Sequence, residues 1–141
     1  MKVAYNACFG GFGLSMKAST EYAKRKGVNL TWYKQVEYKH QKGFDKYVKV
    51  TSDDGGSLFL SASTKDLGDD ISGIPEDCYY YKSFDDNDRI DSDLINIIEE
   101  MGDDANGNCA ELRIEEIPDG ASYEIDEYDG NESVVPPRQA W

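Results

Sequence analysis

The 141-residue chain carries 28 acidic against 15 basic side chains, a formal net charge of −13, and its 39% hydrophobic residues with ten tyrosines suffice for a sizeable core in one domain. No apolar run approaches the roughly 20 residues of a membrane span, and the start lacks the charged, apolar and small-residue succession of a secretory signal. The expectation is a soluble cytoplasmic protein with no membrane partner.

Residues 1–7 mix apolar and strand-favouring types and predict a first strand. Residues 15–26 predict a helix capped by Ser15 and stopped by Gly27, with Met16, Ser19, Thr20 and Ala23 along one side. The alternation of Leu30, Trp32, Tyr33 and Val36 makes 28–38 a strand, and 47–51 and 57–61 flank Asp53-Asp54-Gly55-Gly56 as a hairpin. The polar stretch 64–77 predicts a surface loop, and 78–81 a short strand. Asp91 or Ser92 caps a helix running to Met101, its apolar side formed by Leu94, Ile95, Ile97, Ile98 and Met101, with Gly102 as its stop. Residues 111–117 and 121–126, split by Pro118-Asp119-Gly120, predict a final hairpin. The order β-α-β-β-β-α-β-β makes a single α+β domain over residues 1–141, a mostly antiparallel sheet packed by two helices.

Charge is unevenly spread along this order. Residues 1–50 hold ten basic and three acidic side chains, net +7, which leaves five basic and 25 acidic, net −20, for the other 91. The basic part contains the strongest chemical signal, Cys8-Phe9-Gly10-Gly11-Phe12-Gly13-Leu14-Ser15, linking the first strand to the first helix. Such a turn leaves N–H groups unpaired at a helix N-terminus, where the peptide dipoles favour negative charge. Glycine permits positive φ and close approach of a ligand to the main chain, and Phe9 or Phe12 offers a ring to stack on a flat base. Gly10, Gly11, Phe12, Gly13 and Ser15 are therefore the candidate phosphate seat. The spacing completes neither G-x-G-x-x-G nor a P-loop, and the same residues also suit a plain turn with two core phenylalanines.

Elsewhere the chemistry is sparse. Cys8, Cys78 and Cys109 cannot all pair and none lies in a C-x-x-C spacing, which predicts reduced thiols, with Cys8 and Cys109 as small core residues. His40, the one histidine, lies in the basic turn Lys39-His40-Gln41-Lys42-Gly43 as an exposed loop residue. The run from Asp85 to Asp93 spaces oxygens as calcium would want, but Arg89 and Ile90 fill the fifth position and the glycine position of an EF-hand loop. It reads as an acidic lead-in to the second helix. Arg89 is a candidate cationic partner for phosphate, because a guanidinium forks onto phosphate or carboxylate; an ion pair with a neighbouring Asp is the competing reading. No two carboxylates stand out as acid and base, and neither an enzyme class nor a cofactor or metal site is predicted.

Residues 1–15, Met-Lys-Val-Ala-Tyr-Asn-Ala-Cys-Phe-Gly-Gly-Phe-Gly-Leu-Ser, resemble the opening of a widespread family of small bacteriophage proteins. The resemblance returns in Ala105-Asn106-Gly107-Asn108-Cys109-Ala110-Glu111-Leu112, Glu116-Ile117-Pro118-Asp119 and Glu124-Ile125-Asp126-Glu127-Tyr128-Asp129-Gly130-Asn131-Glu132, and is weak over about residues 28–88. By analogy with small phage proteins that sequester nucleotide second messengers of host immunity, it implies a non-catalytic counter-defence protein that captures a small anionic ligand. A cyclic nucleotide signal is the suggested case, with a homo-oligomer as the assembly and no direct nucleic-acid binding. Asn106 and Asn108 are implied as readers of base or ribose, and Tyr128 as a pocket ring. The alternative is an acidic nucleic-acid mimic that inhibits a host nucleic-acid-binding protein, since carboxylates spaced over a surface imitate phosphates.

Overall fold

The computed structural model describes residues 1–36, 46–51 and 60–136. In chain order the elements are β1 (Lys2–Asn6), α1 (Met16–Arg25), β2 (Thr31–Val36), β3 (Lys46–Val50), β4 (Leu60–Ser63), β5 (Asp70–Ile71), β6 (Tyr79–Tyr80), a 3-10 turn (Asp86–Ile90), α2 (Ser92–Met101), a second 3-10 turn (Gly102–Ala105), β7 (Leu112–Glu116), β8 (Glu124–Tyr128) and β9 (Asn131–Val135). All strand pairs among the described residues are antiparallel, so the α+β class with two α-helices holds. The chain divides into two compact units, Met1–Tyr22 with Ser83–Trp141, and Ala23–Lys82.

In the first unit, α2 supplies most of the core. The Asp91 carboxylate accepts the Asp93 N–H at 2.9 Å, satisfying one of the orphan donors at the helix start. Leu94, Ile95, Ile97 and Ile98 then recur at helical spacing on the buried side, each side chain contributing about 1.5–3 kcal/mol relative to exposure. They pack with Ala4, Ala18, Tyr22, Ala105 and Leu112, and Phe12, Leu14 and Phe84 close the edge of the cluster. Helix α1 starts as its sequence dictates: the Ser15 hydroxyl accepts the Ala18 N–H at 3.1 Å and donates to the Asp104 carbonyl at 2.6 Å.

Two predicted hairpins are corrected. Residues 111–117 do not pair with 121–126; β7 pairs with β1, from Lys2↔Glu116 to Asn6↔Leu112. Pro118-Asp119-Gly120 is a turn after β7, and the last hairpin lies one step on, where β8 and β9 flank Asp129-Gly130. Both loop residues have positive φ, 52° and 87°, the geometry a two-residue hairpin loop requires and Asp-Gly favours.

The second unit is a five-stranded sheet in the order β5-β3-β2-β4-β6. The strands predicted as a hairpin across Asp53-Asp54-Gly55-Gly56 become β3 and β4, which both pair with β2 and not with each other. Each edge of β2 takes one of them, and fully buried Tyr33 occupies the centre. Its hydroxyl donates to the Gly68 carbonyl and accepts the Leu67 N–H, both at 2.9 Å, which anchors the loop before β5. The predicted turn Asp53-Asp54-Gly55-Gly56, and His40, lie outside the described residues.

Candidate functional site

The site begins with β1. Ala7 N–H bonds the Glu111 carbonyl and Ile117 N–H the Met1 carbonyl, so the odd-numbered residues of this strand point their backbone groups toward β7. Those of Ala4 and Asn6 face the opposite edge, where side chains pair the Asn6 N–H and the Ala4 carbonyl. Arg89 and Glu132, 4% and 8% exposed, form a forked ion pair with Nη1 to Oε1 at 2.6 Å and Nη2 to Oε2 at 2.8 Å. Glu132 Oε1 also accepts the Asn6 N–H at 2.8 Å, while Arg89 donates Nη1 to the Ala4 carbonyl at 3.4 Å and Nε to the Phe84 carbonyl at 3.2 Å. Among the described residues no strand pairs with this edge of β1, and a buried ion pair takes that place, consistent with the cost of leaving backbone polar groups unpaired.

Asn6, itself fully buried, joins this brace to the glycine turn. Its Nδ2 donates to the Cys8 carbonyl at 2.6 Å and the Gly130 carbonyl at 2.8 Å, and its Oδ1 accepts the Glu111 N–H at 2.8 Å. The Asp129-Gly130 loop is consequently seated on the turn: Gly10 N–H donates to the Asp129 carbonyl at 3.1 Å, and a Cβ on Gly130 would lie 2.2 Å from the Gly11 nitrogen. On the other side, Gly107 N–H donates to the Gly13 carbonyl at 2.9 Å and Ser15 N–H to the Ala105 carbonyl at 2.9 Å, around a bridge between Leu14 and Asn106.

Around this clamped turn the predicted residues separate into two groups. Phe9 and Tyr128, 56% and 78% exposed, meet edge to face with ring centroids 6.5 Å apart. Gly11 has φ +103° and Gly13 lacks a left-handed φ; at both, a Cβ would meet nothing within 4 Å. The two rings are exposed and both glycine Cα positions face open space, while the Gly11 nitrogen lies against Gly130.

The other group is structural. Phe12 does not offer a free ring: it lies against Phe84 at 5.5 Å, and the Arg89 guanidinium carbon sits 3.9 Å from its centroid. Arg89 is not an exposed cation but the buried partner of Glu132, because the β1 edge and the Phe84 carbonyl claim its donors. Ser15 is the cap of α1, and Gly10 is held by Asp129. Asn106 Oδ1 accepts the Leu112 N–H at 2.8 Å, starting β7, whereas Asn108 is exposed. Of the cysteines, Cys78 is the buried one, Cys8 is half-buried, and Cys109 is exposed at φ 62° beside Gly10, where a turn rather than the core receives it.

Asn6 and Glu132 were not legible as site residues, although a lone amide in Val3-Ala4-Tyr5-Asn6-Ala7 is an internal polar signal and Glu132 is the second residue after the hairpin loop. The unit that holds the turn carries 19 acidic and five basic side chains, net −14; the other carries nine and ten, net +1. Among the described residues, no group of three or more His, Cys, Asp and Glu is arranged to hold a metal ion, and no helix is long and apolar enough to cross a membrane. No protein-family model, characterised protein or solved structure matches the chain.

Proposed function

We propose that this chain is a non-catalytic binding protein that sequesters a small ligand combining a flat ring with an anionic group, of the nucleotide class, in a phage counter-defence role with a cyclic nucleotide immune signal as target. The ring packs on Phe9 and Tyr128, and the main chain of Gly11 to Gly13 receives the anion, without Arg89. Gly13 is the observation that carries this reading: neither φ nor packing calls for glycine there, so its bare backbone, four residues along the chain from the exposed Phe9, is what close approach of a ligand would need. Assembly of several copies belongs to the same reading and is checked by light scattering.

Titration of cyclic di- and trinucleotides and ADP-ribose derivatives against the purified protein tests it. Binding that falls by about 1–3 kcal/mol in Phe9→Ala or Tyr128→Ala is the expected result, as for a base losing an aromatic platform; no binding by any of these compounds overturns it. Gly13→Ala sharpens the test, since it should leave folding unchanged or stabilise it by about 0.4–1 kcal/mol while weakening the same ligand. The net charge of −14 on one unit favours a second reading, an acidic nucleic-acid mimic that occupies the basic groove of a host protein. Capture of a host nuclease or polymerase, released by moderate salt, would favour it.

A further inference from the structure

We propose that Asn6 is the positioning residue of the aromatic and glycine surface, a role that rests on the binding reading for its purpose but on hydrogen bonds for its mechanism. One carboxamide reaches three separate segments: the Cys8 carbonyl immediately before Phe9, the Gly130 carbonyl two residues after Tyr128, and the Glu111 N–H ahead of β7. Its two donors therefore fix the distance between the chain segments that carry the exposed rings. The donors and the acceptor are all used, and the residue is fully buried, so no water can substitute at this junction. The Arg89–Glu132 pair acts one step further back, because Glu132 holds the Asn6 main chain while the Asn6 side chain holds the turn.

Aspartate is the discriminating replacement. Asn6→Asp keeps the shape and the acceptor for Glu111 but loses both donors, placing a carboxylate against the Cys8 and Gly130 carbonyls. The readouts are the nuclear Overhauser contact between the Phe9 and Tyr128 rings and hydrogen exchange of the Gly10 amide, whose acceptor is the Asp129 carbonyl. In folded Asn6→Asp protein the ring contact should vanish and Gly10 should exchange at least about tenfold faster, with the α2 amides unchanged. A purely structural loss would accelerate exchange in α2 as well. An intact ring contact with unchanged Gly10 exchange overturns the proposal. If the variant does not fold, the wild-type Asn6 side-chain amide decides: slow exchange supports the assignment, and exchange at the rate of a free amide refutes it. Cyclic di-AMP titrated into wild-type protein tests the binding reading separately, since failure to bind leaves the ring and exchange measurements standing.

Discussion

Replacing Arg89 with alanine should be among the most damaging single changes in the first unit. Glu132, 8% exposed in the folded protein, would keep the Asn6 N–H but lose its counter-charge, and the Ala4 and Phe84 carbonyls would each lose the hydrogen bond from Arg89. Removing one member of a buried ion pair costs about 3–5 kcal/mol, a large share of the ~5–15 kcal/mol that holds a domain folded. Urea unfolding followed by circular dichroism measures this; at a slope of about 2 kcal/mol per molar, the midpoint should fall by about 2 M. The double variant Arg89→Leu with Glu132→Leu separates two explanations. Apolar replacement of a buried pair is often neutral or stabilising, but here it would leave the Asn6 N–H and the Ala4 carbonyl of the β1 edge unpaired, at about 1–3 kcal/mol each. A double variant as stable as the parent would refute the idea that the pair serves as a substitute strand. An Arg89→Ala change below about 0.5 kcal/mol, the range of an exposed side chain, would refute the burial argument altogether.

Gly130→Ala should destabilise by more than about 2 kcal/mol in the same assay, since its Cβ would lie 2.2 Å from the Gly11 nitrogen at φ +87°. Tyr33→Phe in the five-stranded sheet should cost about 1–3 kcal/mol, because the Leu67 N–H and Gly68 carbonyl both lose their partner. The Asp66 carboxyl is held below its ordinary pKa by its hydrogen bond with the Lys49 ammonium, then by the Gly68 N–H. A depressed folded value means that its contribution is full above the unfolded pKa of about 3.9 and disappears as pH falls through the lower folded one. Carboxyl chemical shifts against pH check this, with Lys49→Ala expected to return the midpoint toward the ordinary range.

Local signals wrote much of the fold into the sequence. Asp91, the Leu94-Ile95-Ile97-Ile98 stripe and Gly102 define α2 without reference to anything distant, and Ser15 does the same for the start of α1. Pairing was harder to read, because strand partners are chosen by burial across the whole unit. The stretch 111–117 has an adjacent candidate across Pro118-Asp119-Gly120, yet β1, more than a hundred residues away, offers Ala4 to the core cluster that Leu112 also joins. Asp129-Gly130 was the readable signal for the true hairpin, and a two-residue Asp-Gly loop fixes its register. The buried pair was not readable: Arg89 stands among aspartates, and only the folded chain brings Glu132, 43 residues on, to it.

Electrostatics distinguishes the two functional readings more sharply than any single contact. With Arg89 neutralised by Glu132, an anionic ligand at the glycine turn approaches a unit of net −14 and must overcome long-range repulsion. Screening shortens that repulsion from a reach of about 30 Å at 0.01 M salt to about 8 Å at 0.15 M, while hydrogen bonds to main-chain amides and ring packing are far less affected. Nucleotide affinity should therefore rise as salt is added at low ionic strength. An acidic mimic seated in a basic groove should behave oppositely, losing affinity steeply with salt as the attraction is screened. The sign of the salt slope, measured by titration calorimetry for a nucleotide and for any captured host protein, assigns the acidic surface either to a field the ligand tolerates or to the recognition element itself.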